Sequence, residues 1–140
     1  YSDNHADAKH GAAQFSRALG ALTAIKIPGG QHYWHKIPAV GDIRESIAAV
    51  QSSAEIKAAR VAFGSLGVAL NSLLETTGIP ESMKGSVVGK RCGMFSEAPL
   101  GGVWFQRKGE NHNPFFGKAS PMAACATASW DKPSDIPAGK

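Results

Sequence analysis

The sequence predicts a mainly α-helical domain: a small antiparallel bundle of three to four helices carrying an irregular C-terminal cap with short β-strands. Three observations predict it. Apolar residues recur at three- and four-residue spacing through the first two thirds of the chain. Proline and glycine interrupt those stripes at Pro28-Gly29-Gly30 and at Gly78 and Pro80. Beyond Ile79 the helical period is lost, and residues 80–140 hold six of the eight prolines. The chain has 140 residues and 14.6 kDa, enough for one core. Residues 1–130 are read as a single domain whose cap occupies about 80–130, and 131–140 as a flexible tail.

The first helix is expected from Ala6 to Ile25, where Ala8, Ala12, Phe15, Ala18, Leu19, Leu22 and Ile25 form one stripe. A loop follows through His32, Tyr33, Trp34, His35 and Pro38, with Trp34 docking on the bundle. Asp42 and Glu45 have the spacing of a capping pair, so a short second helix is expected to carry Ile43, Ile47 and Val50 on one face. Ser52 and Glu55 repeat that spacing before the longest stripe, Ile56, Ala59, Phe63, Leu66, Leu70, Leu73 and Leu74. Pattern alone leaves open whether the second and third helices are joined. In the cap, strand-like pieces are expected at Ser86 to Val88 and Val103 to Gln106, with Gly101-Gly102 as a turn.

Composition excludes several classes. The net charge of +4 comes from scattered lysines and arginines, with no run resembling a nucleic-acid arm. No window approaches the roughly 20 apolar residues of a membrane helix. Tyr1 in place of an initiating Met is read as the trace of a removed leader or a longer upstream region. No haem attachment, zinc-protease, phosphate-loop or nucleophile-elbow motif occurs, so a non-enzymatic role is expected. A Cys92 or Cys125 nucleophile paired with His112 lacks an orienting partner.

The chemistry gathers in the last third. Both cysteines and two of the three methionines lie at the ends of one stretch, Cys92-Gly93-Met94 and Met122-Ala123-Ala124-Cys125. One reading is a soft ligand set, because monovalent copper and silver prefer thiolate and thioether donors. Cys92 and Met94 share a face if that segment is extended, and Met122 and Cys125 suit one helical turn or a tight loop. His112 is a second-tier nitrogen ligand. The other reading is a Cys92–Cys125 disulfide with Met94 and Met122 as apolar gap-fillers. Closing that loop would contribute roughly 3–4 kcal/mol. Residue chemistry leaves both open, with the disulfide ahead.

The remaining candidates read structurally. Asn113-Pro114-Phe115-Phe116-Gly117 combines a turn former, a fixed φ, two buried rings and a permissive glycine, so it is expected to be a folded plug packed by Trp104 and Phe105. His32 and His35 have a spacing that can bind a divalent ion but no third ligand nearby. His5 and His10 are expected in solvent.

The order of these motifs resembles a family. Cys92-Gly-Met94, Trp104-Phe105, Asn113-Pro-Phe-Phe-Gly117 and Met122-x-x-Cys125 are similar to Cys-Pro-Met, Trp-Leu, Asn-Pro-Tyr-Phe-Gly and Met-x-x-Cys-Gly. That pattern marks a domain of unknown function found at the C terminus of some CusB-type periplasmic adaptors of copper and silver efflux pumps, or as a free-standing secreted protein. Ile56, Arg60, Phe63 and Leu66 match the family's Ile-x-x-x-Arg-x-x-Phe-x-x-Leu helix, and Trp34 a tryptophan before its second helix. Gly93 and Ala126 depart from the family's proline and glycine, and the Asn113 to Met122 interval is longer. The resemblance implies a periplasmic or otherwise extracytoplasmic module linked to copper or silver handling. It would bind Cu(I) or Ag(I) through Cys92, Met94, Met122 and Cys125 and meet an efflux adaptor, pump or metallochaperone. The alternative is a disulfide-stapled interaction or assembly domain with no metal of its own.

Overall fold

The computed structural model describes residues 3–30 and 32–137, and Tyr1 therefore lies outside the described residues. The fold is mainly helical with a β cap, as expected. Helix α1 spans His5–Thr23, α2 Pro38–Ser52 and α3 Ile56–Thr77. Strands β1 (Val87–Arg91), β2 (Val103–Arg107) and β3 (Ala128–Trp130) form an antiparallel sheet in the order β2-β1-β3.

Asn4 caps α1: its side-chain oxygen accepts from the amides of Ala6 and Asp7 at 3.0 and 3.2 Å. The helix ends at Thr23, short of the expected Ile25, which is 57% exposed. The Ile25 carbonyl instead accepts from Trp34 Nε1 at 3.3 Å, which holds the half-buried indole against the bundle. His5 is not left in solvent, because its Nε2 lies 2.8 Å from Ser53 Oγ.

Helix α2 starts earlier than the Asp42/Glu45 pair suggested. Pro38 takes its first turn, where a missing N–H costs nothing, and Asp42 and Glu45 fall inside the helix. The Ser52/Glu55 pair does not cap either. Ser52 closes α2, Glu55 precedes α3 without a side-chain capping bond, and the short link 53–55 separates the helices. Gly78, at φ +80°, ends α3.

Two cores result. Ile43, Ile47 and Val50 of α2 meet Ala59, Leu66 and Leu73 of α3 and Ala12 and Leu19 of α1 in the bundle. Cys92, Phe95, Ala98, Trp104 and Phe115 make the second, and Phe63 packs against both.

The cap is more regular than expected. β1 extends to Arg91, and β3, which the sequence did not announce, pairs Trp130 with Gly89. The Trp130 indole lies where a Gly89 side chain would be, so the smallest residue there makes room for the largest. Residues expected to be a flexible tail are packed as far as Pro137: Asn71 Nδ2 donates to the Pro133 carbonyl at 2.9 Å and Arg91 Nη1 to the Pro137 carbonyl at 3.4 Å. Residues 138–140 lie outside the described residues.

Candidate functional site

Cys92 follows the last residue of β1 and is fully buried. Its amide donates to the Gly102 carbonyl at 3.0 Å, while its own carbonyl accepts from the Phe95 amide at 3.2 Å. That second bond turns the chain at Gly93-Met94. The segment is therefore not extended, and Met94 does not share a face with Cys92. It points outward and is 65% exposed, which also removes it from the role of apolar gap-filler.

Cys125 closes the opposite turn, its amide donating to the Met122 carbonyl at 2.9 Å, so the three-residue spacing does form a tight loop. Met122 is half-buried. Cys92 and Cys125 form a disulfide with Cα atoms 5.7 Å apart, and neither thiol is free.

The plug is wired to this bond through Asn113, which is fully buried. Its Nδ2 donates to the Cys125 carbonyl at 2.8 Å, and its Oδ1 accepts from the Phe115 amide at 2.8 Å. The second contact is the local turn expected of asparagine before proline. It drives the Phe115 ring inward against Phe95 at 4.9 Å, Phe63 at 5.8 Å and Trp104 at 5.9 Å between centroids. Gly102, at φ +75°, leaves space for that ring, since a Cβ there would lie 2.8 Å from Phe115 Cδ2. Phe116 meets Phe95 edge-on at 5.9 Å.

Trp104 packs the plug as expected, but Phe105 does not. Neighbouring residues of a strand face opposite ways, and Phe105 meets Trp130 edge-on at 6.4 Å on the other side of β2. His112 is exposed and is joined to the cap by its backbone, its amide donating to Gln106 Oε1 at 3.2 Å. The same Gln106 oxygen accepts from Trp104 Nε1 at 3.0 Å.

Three participants were not singled out as part of the site in the sequence: Phe95, Gln106 and Arg60. Arg60 Nε donates to the Pro114 carbonyl at 3.2 Å and Nη2 to Asp3 Oδ1 at 2.6 Å, so one guanidinium ties α3 to the plug and to the start of the chain. Its signal was the family-like helix motif, in which Arg60 and Phe63 both stand.

As a ligand set the four sulfurs do not fit a soft monovalent ion in this state. A disulfide has no thiolate to offer, which leaves two thioethers, one exposed and one half-buried. Among the described residues no three of His, Cys, Asp or Glu are grouped as metal ligands would be. His32 and His35 are exposed with ring centroids 5.8 Å apart and without a third partner of that kind. No helix among the described residues is long and apolar enough to cross a membrane.

Fold and site together define a mainly helical domain with a disulfide-stapled aromatic β cap. Compared with models of known families, with curated proteins and with solved structures, the chain matches none.

Proposed function

We propose that this chain is a non-enzymatic, extracytoplasmic interaction or assembly domain, stapled by Cys92–Cys125, with no metal of its own. The observation that carries the reading is the use of both cysteines in one bond, wired by Asn113 to a buried plug. Disulfides persist in oxidising compartments, which supports a periplasmic or secreted setting. The staple's role is then to hold a rigid cap on α3 for a partner to read. The resemblance to efflux-associated domains supports a partner in copper or silver handling, such as an adaptor, pump or metallochaperone.

A second reading keeps Met94 in view. In this reading reduction frees both thiolates, and the exposed Met94 turns inward to complete with Met122 a soft four-sulfur set for Cu(I) or Ag(I). Silver distinguishes the two readings because it needs no reductant. Ag(I) is titrated calorimetrically into the unreduced protein and into protein reduced and then freed of reductant. The stapled-domain reading expects no stoichiometric uptake by the unreduced protein and is overturned by it. The second reading expects uptake after reduction that weakens in Met94→Ala or Met122→Ala, and it fails if those variants bind as the parent does.

A further inference from the structure

The bundle is not filled where α1 departs from α3. Ala8 and Ala12 offer only methyl groups and Gly11 no side chain opposite Ile56, Phe63 and Leu66, and a groove of about 350 Å³ remains between them. A Cβ added at Gly11 would find no atom within 4 Å. This volume lies at the lower end of small-ligand sites, roughly 300–1,000 Å³.

The polar groups of the groove are gathered at one end. Arg60 lines it, as do Asn4, the cap of α1, and Ile56, the first residue of α3. The positive ends of two helix dipoles therefore stand beside a guanidinium. Asp7, in the first turn of α1, lines the same groove and offsets part of that charge. The Arg60 side chain is only 15% exposed, whereas that of its carboxylate partner, Asp3, is 57% exposed. The pair is thus half open to water on the Asp3 side. Asp3 does not line the groove; its carboxylate lies against Gly117 and holds Arg60 Nη2, so it competes for the guanidinium with an anion that reaches Arg60 from the groove.

We propose that the groove takes a small amphipathic carboxylate. Its hydrocarbon chain lies against Phe15, Phe63 and Leu66, and its carboxylate replaces Asp3 on Arg60. Arginine suits this exchange because its planar fork meets a carboxylate with two parallel hydrogen bonds. The displaced Asp3, already 57% exposed, returns to water.

The test uses the full chain with its disulfide intact. Decanoate, decanol and decylammonium, each below its micellar concentration, are titrated while calorimetry and the aromatic NMR signals are followed. Decanoate is expected to bind about tenfold tighter than either of the others, the factor a charge-assisted hydrogen bond supplies. Asp3→Asn is expected to tighten decanoate binding by removing the internal competitor, and Gly11→Leu to abolish it by filling the groove. Arg60 is left unchanged because it also holds Pro114. Equal binding of the three amphiphiles, no binding of decanoate, no tightening in Asp3→Asn, or unchanged binding in Gly11→Leu would each overturn the proposal.

Discussion

Gly67 on α3 and Val103 on β2 approach until no Cβ fits between them: one built on Gly67 would collide with the Val103 carbonyl oxygen. Val103 is fully buried, so the sheet seats its backbone directly on the helix. The cap is held in place by this absence of a side chain on α3. Gly64 repeats the arrangement one turn earlier, where a Cβ would collide with that of Ala98.

Gly67→Ala is therefore expected to destabilise the protein by about 1–3 kcal/mol, as overpacking against unyielding backbone does. Gly11→Ala, in open space on α1, is expected to stabilise it by about 0.5–1 kcal/mol. Urea unfolding of both variants checks the contrast; equal effects would deny the close seat.

Asn71 is the polar joint between bundle and sheet. It is 3% exposed, its Oδ1 accepts from Trp130 Nε1 at 3.0 Å, and its Nδ2 donates to the Pro133 carbonyl. Asn71→Ala strands a buried indole N–H and is expected to cost about 1–3 kcal/mol. The fluorescence of Trp130 should report the change, in a background where Trp34 and Trp104 are replaced by Phe.

Asn113→Ala removes the link between the Cys125 carbonyl and the Phe115 amide. A loss of about 1–3 kcal/mol is expected. The disulfide should also become more quickly reducible by dithiothreitol, because the plug beside it is no longer held. A destabilised variant with an unchanged reduction rate would uncouple plug and staple.

Much of this architecture was legible beforehand. The stripes of Ile43, Ile47 and Val50 and of Ala59, Leu66 and Leu73 do form the bundle core, because helical periodicity reports directly on burial. Helix starts were less legible. Asp42 and Ser52 have capping chemistry, but Pro38 and the 53–55 link set the real boundaries. β3 was hidden because three residues carry too little alternation to recognise, and its place depends on Gly89 lying elsewhere in the chain. The plug was read from Asn113-Pro114 because its turn is local. The reach of Arg60 to Pro114 and Asp3 was not, being set by the packing of α3 against distant segments.

Reduction of Cys92–Cys125, or replacement of both cysteines by alanine, is expected to cost about 3–4 kcal/mol, from the chain entropy of a loop with sequence separation 33. Denaturant midpoints of the oxidised and reduced protein check this. The far-UV spectrum of the three helices should persist at low denaturant, because most of their core, apart from the shared Phe63, lies away from that of the cap.

The most direct measurement of the stapled-domain reading is the mass of the natively purified, unreduced protein after alkylation in denaturant. With the two cysteines paired, no alkyl group is added until a reductant is supplied, and then two are. Addition of two alkyl groups without reductant would contradict the staple.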